Sequence, residues 1–522
     1  MVSDNISRTG KTSKYILFAR RIGLVGFAQT IASLQGLILL PIMTKTFGAS
    51  GYGVWAQILA TILLVQPFIM LGLDSSILRF LSSKEKKEIT QGIITVLSVV
   101  LIIGLTAFLL LFLSSDFLAI TLLKEESAAT IIRIASPLLI LGALNSVILG
   151  SFRVFAQIKR YAAILLLQTF LEIGLISFFV LSGYGLIGAV ISLLITRSIT
   201  MLVGLYLIIS YAGFSLPDFS ILRPYLKYGL PLVPTIIFEF IINSSDRFVI
   251  GFFMGAEKVG IYSAAYGIGS VILMFSTYIV YILRPTIYNS FDKKKIDEVK
   301  IYLSYSLKYL LMFSIPSVFG LTLLAKPLLA NLTTPEFISE GEFIIPIVAI
   351  SIVYYGVAMI FGTIILSYNR PKLFASVFGF AALLNLGLNI IFVPRWGIIG
   401  AAITTFIAYY LLTIIIWYIS YKQIKFDIQL GFIAKSITAS VVIAFIISLF
   451  KPTGVIEIFA LIVTSVIIYF SLLFLLKGFE EKELKIIREI IGFRINPKNS
   501  SRIDLNYQSN SDNPILKKSK EK

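Results

Sequence analysis

Few side chains in this 522-residue chain could do chemistry, and the informative ones sit inside long apolar stretches. Between residues 228 and 253, Glu239, Asn243, Asp246 and Arg247 lie at offsets of four, seven and eight, which places them on one side of a 3.6-residue helix. Glu172 and Arg197 occupy two earlier apolar stretches, and Lys308 a later one. An ionisable group in such surroundings costs about 2.5–3.5 kcal/mol on membrane-insertion scales, so each is expected to face a bundle interior or a water-filled cavity. Arg247, Arg197, Lys308 and Asn243 are the candidate contacts for a ligand. The cations outnumber the acids, and a cationic interior suits an anionic phosphate, which Arg holds bidentately. Glu239, Asp246 and Glu172 are candidates for H⁺ or Na⁺ coupling or for helix packing. Arg133 and Arg284, near stretch ends, read as cations reaching for a membrane interface.

Other chemistries are excluded by composition. With no histidine and no cysteine, the chain has no thiolate or imidazole metal site, no disulfide and no Cys or His catalysis. No catalytic residue, metal or cofactor is expected. Gly51-Tyr52-Gly53-Val54-Trp55-Ala56 satisfies a dinucleotide-binding pattern but follows no strand, and Gly10-Lys11-Thr12 lacks the leading glycine of a phosphate loop, since Asn5 stands there. The sequon Asn331-Leu332-Thr333 falls in a stretch read as an outer loop.

The elements that must position these residues are membrane helices. The chain is 57% hydrophobic and only 14% charged, with a mean hydropathy of +0.92, where a soluble domain carries about 25% charge. Fourteen stretches have the length of a single crossing. They run over 16–40, 54–75, 90–113, 130–152, 161–182, 186–211, 228–253, 259–284, 302–325, 343–366, 373–393, 398–420, 430–450 and 455–476. The even-numbered connections hold 18 Lys and Arg and the odd-numbered ones 6. This bias predicts that the even connections and both termini are cytoplasmic, and it accounts for the net charge of +18 without nucleic acid.

Six of the stretches recur. Gly48-Ala49-Ser50-Gly51-Tyr52-Gly53-Val54-Trp55-Ala56 aligns with Gly255-Ala256-Glu257-Lys258-Val259-Gly260-Ile261-Tyr262-Ser263, and Gly185-Leu186-Ile187-Gly188-Ala189 with Gly397-Ile398-Ile399-Gly400-Ala401. Six is even, so the copies are parallel repeats related by an axis along the membrane normal. The expected fold is an all-α integral membrane protein of about 14 helices, in two six-helix lobes plus two C-terminal helices. The expected division is a cytoplasmic segment 1–15, an N-lobe 16–212, a C-lobe 213–421, the last two spans 422–477, an interfacial helix 478–495 and a disordered cytoplasmic tail 496–522. Such a duplication points to a transporter.

Phe47-Gly48-Ala49-Ser50-Gly51-Tyr52-Gly53, Leu71-Gly72-Leu73-Asp74 with Arg79, and Ser245-Asp246-Arg247 followed by Val259-Gly260-Ile261-Tyr262-Ser263-Ala264-Ala265-Tyr266 resemble the polysaccharide-transporter family. These are Wzx-type flippases of the multidrug/oligosaccharidyl-lipid/polysaccharide exporter superfamily. The resemblance covers about residues 15–480. It implies a two-lobed carrier in the cell membrane that moves a polyprenyl-phosphate- or pyrophosphate-linked oligosaccharide outward by alternating access. Membrane lipid, the lipid-linked glycan, a coupling H⁺ or Na⁺ and glycan-assembly enzymes are the partners it implies. A cation-coupled multidrug exporter of the same superfamily is the alternative, with Glu239 and Asp246 as its carboxylates. A membrane glycan polymerase or glycosyltransferase is disfavoured by odd-side loops of fewer than about 20 residues, too short to hold a catalytic domain.

Overall fold

The computed structural model describes residues 2–484 apart from 83, 451 and 482, with side chains described from residue 24. Every regular element among the described residues is helical. The first half runs through α1 (Val2–Met70), α2 (Leu73–Leu81), α3 (Lys86–Leu113), α4 (Ser115–Leu118), α5 (Ala128–Ala135), α6 (Leu138–Val154), α7 (Ile158–Leu181) and α8 (Gly185–Ala212), with a π-helical turn at Ala119–Leu123. The second half has α9 (Leu222–Gly229), α10 (Val233–Met254), α11 (Ala256–Gly269), α12 (Leu273–Asp292), α13 (Ile296–Leu332), α14 (Ile338–Ser367) and α15 (Pro371–Gln423). Two further helices follow, α16 (Leu430–Leu449) and α17 (Val455–Leu475).

Twelve helical segments among the described residues are long and apolar enough to cross a membrane, and two of these are too long for one crossing. Leu24–Met70 has 47 residues and Pro371–Gln423 has 53. At 1.5 Å per residue the latter would rise about 80 Å against a hydrocarbon core of about 30 Å. Each is broken by a glycine with left-handed φ, at Gly48 (φ 64°, ψ −169°) and Gly397 (φ 62°, ψ −149°). Counting both arms gives fourteen passes. The repeat mates of these residues, Gly255 and Gly185, also have positive φ, 83° and 66°. The sequence repeat is therefore a repeat of backbone conformation, and glycine is needed because a Cβ is strained in that region.

Each lobe has its own apolar core. One gathers Met43, Trp55, Leu73, Ile93 and Val190; the other gathers Tyr262, Ile345, Ile360, Ala382 and Tyr409. A smaller core joins α13 to α16 and α17 through Met312, Leu324, Ile443 and Tyr469. Lipid tails are as apolar as these side chains, so close packing and buried polar contacts hold such helices together. Pro316 inside α13 illustrates both. It has no N–H to donate to the Met312 carbonyl, and the Tyr469 hydroxyl of α17 donates to that oxygen at 2.8 Å instead.

The lobes touch most closely where the odd-numbered connections lie, here termed the odd face. A Cβ on Gly53 would stand 1.8 Å from the Ala256 carbonyl oxygen, and one on Gly260 would stand 1.9 Å from that of Ala49. These are reciprocal backbone contacts about the pseudo-two-fold axis. Around them Thr44 Oγ1 donates to the Leu332 carbonyl (3.0 Å), Lys124 Nζ to the Phe253 carbonyl (2.8 Å), and the Ala49 N–H to Glu336 Oε1 (2.6 Å). Glu336 thus caps the first turn of the second arm of α1 from the other lobe. On the even face, the Ser76 hydroxyl donates to the Tyr225 carbonyl at 2.8 Å, tying α2 to α9.

One sequence expectation changes. The sequon is not in a loop: Asn331 lies in the last turn of α13, its amide donating to the Pro327 carbonyl at 2.9 Å, with Thr333 buried. Of the expected interfacial helix 478–495, residues from 485 on lie outside the described residues, as does the expected tail 496–522. The part that is described is held against the second lobe through Glu480 and Glu483. The side chains of the expected segment 1–15 also lie outside the described residues.

Candidate functional site

Between the lobes lie two adjoining cavities of about 620 Å³ and about 1360 Å³, which share Leu273 and Thr277 in their walls. The smaller is walled by Gln29, Ser33, Tyr52 and Tyr161 of the first lobe and by Ser270, Met274 and Tyr278 of the second. The larger receives Leu78 and Arg153 from the first lobe, with Glu239, Tyr281, Arg284, Tyr288, Asn289 and Tyr355 from the second. Thr30 Oγ1 donates to the Tyr278 hydroxyl at 2.8 Å, a polar tie between the lobes. The walls are apolar with scattered hydroxyls, amides and charges, as is typical of sites that bind large amphiphilic ligands.

The larger cavity presents two guanidinium groups from opposite lobes. Among the described residues neither Arg153 nor Arg284 forms an ion pair. Arg284 Nε is buried without a hydrogen-bond partner, and its Nη2 reaches only the sulfur of Met359, at 3.9 Å. Arg284 is half-buried and Arg153 exposed, and a part-buried guanidinium with an unsatisfied N–H gains when an anion arrives, so this pair is suited to holding one.

The other predicted cations already have partners. Arg247 Nη1 lies 3.2 Å from Asp246 Oδ1 and donates to the Asn243 carbonyl at 3.1 Å, and its guanidinium stands 4.7 Å from the centre of the Tyr266 ring. Asp246, 1% exposed, also accepts from the Tyr262 hydroxyl. Asn243 Oδ1 accepts from the Tyr409 hydroxyl. In the first lobe, Arg197 Nη2 lies 3.0 Å from Glu172, which also accepts from the Gln35 amide. Lys308 Nζ donates to Glu483 at 2.6 Å, with both side chains buried.

The structure thus draws Asn243, Asp246 and Arg247 together, as the helical spacing predicts, and pairs Glu172 with Arg197. It leaves Arg247, Arg197, Lys308 and Asn243 out of both cavity walls. For Lys308 this is a correction, because its charge is neutralised by the chain's own C-terminal segment. Of the predicted carboxylates only Glu239 lines a cavity, where it accepts from Tyr355 at 2.9 Å. Arg133, on the odd face, pairs with Asp116. Arg284 is a second correction: it faces the cavity and does not reach for the interface. The signal was present, since Thr277, Tyr281, Arg284 and Tyr288 at offsets of four, seven and eleven form one stripe on α12. In the sequence, Arg153 is one of the 18 basic residues of the even-numbered connections and carries no further signal.

Comparison with known proteins bears on the family and the fold. Residues 42–339, more than half of the chain, match the family described as "Polysaccharide biosynthesis protein". Over 274 residues the chain is 24% identical to the "Probable low-salt glycan biosynthesis flippase Agl15" of Haloferax volcanii, a match covering 52% of this chain and 58% of that one. The chain therefore spans little more than half the length of that relative. It is 27% identical over 393 residues to the "Putative O-antigen transporter" of Shigella flexneri, covering 72% of this chain and 91% of that one. In three dimensions it superposes on the lipid II flippase MurJ in an inward closed conformation, with a TM-score of 0.72 and 20% identity, covering 86% of this chain and 97% of that one. That likeness establishes the fold.

Proposed function

Because the chain belongs to the polysaccharide biosynthesis protein family, we propose that it is a flippase that carries a polyprenyl-phosphate- or pyrophosphate-linked oligosaccharide across the cell membrane for surface glycan assembly. The observation that carries this reading is the pair of guanidiniums, Arg153 and Arg284, which form no ion pair among the described residues and line one 1360 Å³ cavity from opposite lobes. A phosphate bridging them would draw the lobes together on the even face. A neutral or cationic cargo has no use for such a pair.

The positive-inside bias assigns the even face to the cytoplasm. The headgroup then enters from the cytoplasm, its phosphates sit between Arg153 and Arg284, and its sugars lie against Tyr281, Tyr288 and Tyr355. The lipid tail takes an apolar furrow of about 290 Å³ between α13, α16 and α17. Val271 lines both this furrow and the smaller cavity, so headgroup and tail remain neighbours. Release outward requires the odd-face contacts to part while the even face closes. Glu239, the cavity carboxylate, is the place for H⁺ or Na⁺ coupling. Asp246, Arg247, Glu172 and Arg197 hold helices within each lobe.

The test is liposome-reconstituted protein with a fluorescent polyprenyl-pyrophosphate oligosaccharide, followed into the opposite leaflet. Arg284→Ala and Arg153→Ala are each expected to slow translocation by about a hundredfold, the scale of one lost charge-assisted contact. Translocation at the wild-type rate in both variants would sink the phosphate site. The exporter alternative rests on Glu239 in the cavity wall. If a cationic dye were expelled from the same vesicles, Glu239→Gln abolished that expulsion, and no glycolipid moved, the assignment would pass to the multidrug exporter.

A further inference from the structure

Beyond α17 the chain packs back onto α13 through Glu480 and Glu483. Glu483 enters a slot beside α13. Its Oε2 accepts from Lys308 Nζ at 2.6 Å and from the Glu480 N–H at 2.8 Å, and its Oε1 accepts from the Tyr309 hydroxyl at 2.8 Å. Lys308 also stands 5.0 Å from the ring centre of Phe432, at the start of α16. The Lys308 side chain is 1% exposed and that of Glu483 6%. α13, α16 and the segment leaving α17 therefore meet at a single ion pair, next to a furrow bounded by α13, α16 and α17.

A second polar fastening lies further along α13. Met312, one turn on from Lys308, gives its carbonyl to Tyr469 of α17, and Met312, Pro316 and Tyr469 all line the furrow. Both fastenings exist because α13 offers a group that its own helix leaves unsatisfied, a buried ammonium at 308 and a carbonyl orphaned by Pro316. Two more ties lie nearer the start of α13, where the Tyr305 hydroxyl donates to Glu480 at 2.8 Å and the Gln429 amide donates to Ser304 at 3.1 Å. Along the furrow itself the described walls are mainly apolar and carry little directional constraint.

We propose that Lys308 and Glu483 are positioning residues that fasten α16 and α17 to α13 and so fix the width of the furrow for a long isoprenoid tail. This rests on the furrow being the tail site. The pair would act on recognition of the carrier, through a wall held at the right distance, and not on the headgroup.

Because the natural chain has no cysteine, the test can be made by site-specific labelling in the full-length protein. Spin labels at S317C and S465C, both in the furrow wall, are compared in the otherwise natural chain and in the K308M/E483M double variant. Replacing a buried ion pair by apolar residues of similar volume generally preserves folding, whereas E483Q alone leaves a buried cation unpaired. We expect a broadened inter-label distance distribution in the double variant. For a long-chain polyprenyl-pyrophosphate oligosaccharide we expect KM to rise about tenfold with kcat retained, an order of magnitude typical of a lost packing constraint. KM for the matching geranyl-chain analogue should be unchanged. An unaltered distance distribution, or an unaltered long-chain KM in the double variant, would overturn the proposal. If the natural protein already handles geranyl and long-chain substrates with equal KM, the tail site itself is wrong, and the distance measurement still decides whether the ion pair sets the wall.

Discussion

The two faces of the lobe interface differ in how much of them is closed. On the odd face backbone meets backbone at Gly53 and Gly260, with Thr44, Lys124 and Glu336 tying the rim. On the even face backbone meets backbone only at one side, Gly72 against Gly229 beside the α2–α9 tie, and elsewhere the lobes stand apart around a 1360 Å³ cavity. The repeat is exact at the Gly53–Gly260 contact and broken where charge is displayed. Gly53 has Gly260 as its mate, but the offset of 207 residues that relates them sets Ile77 opposite Arg284. A symmetric seam serves as a pivot, and an asymmetric cavity serves to recognise something that has no symmetry of its own.

The largest way to break this contrast is to spoil the seam. In Gly53→Val or Gly260→Val a Cβ would have to occupy space within 2 Å of a carbonyl oxygen that cannot move independently. Translocation is expected to fall below detection, and a cysteine placed at Thr44 should become reactive to an impermeant maleimide added from the odd side. Wild-type transport in either variant would show that the lobes do not need this contact. Next in size, the Arg153→Ala/Arg284→Ala double variant should be little worse than either single variant. Two cations sharing one phosphate couple strongly, so a double-mutant cycle on translocation rate should give about 1–3 kcal/mol of interaction, and simple additivity would place them on separate ligands.

Smaller effects sharpen the picture. Glu336→Ala removes a cap worth about 1 kcal/mol, so odd-side labelling at Thr44 should rise by roughly fivefold with transport retained. Glu336→Gln should fall between the two, because its amide oxygen still accepts from Ala49. Smallest is Tyr469→Phe, which orphans the Met312 carbonyl at Pro316. Thermal unfolding in detergent should report a loss of about 1 kcal/mol, and an unchanged midpoint would mean that water replaces the hydroxyl.

Much of this architecture is readable from the chain because it depends on local regularities. Apolar length identifies the passes, and paired glycines mark both the repeat and the turns that break α1 and α15. Helical spacing brings Asn243, Asp246 and Arg247 together. Charge partnership is another matter, since it is settled by residues far apart in sequence. Glu172 finds Arg197 on the next pass, but Lys308 finds Glu483, 175 positions away, in a segment whose amphipathic pattern suggests a membrane surface. A cation looks free in sequence until its neighbour in space is known, so nothing in the sequence marks Arg153 and Arg284, which have no ion pair among the described residues, as the two that share a cavity. The stripe of Thr277, Tyr281, Arg284 and Tyr288 was the one local clue.

The Gly53–Gly260 seam bears on how such a chain arose. A surface patch that meets its own copy about a two-fold axis is what an isologous homodimer makes. An even number of passes lets a duplicated gene insert its second half in the same orientation as the first. The seam therefore has the form of a two-fold dimer contact carried within one chain, with Gly53 and Gly260 in equivalent places and packed against each other. Within one chain the flanking positions are free of that symmetry, so Ser50 and Gly51 stand where the other copy carries Glu257 and Lys258. Each half could then specialise without disturbing the other.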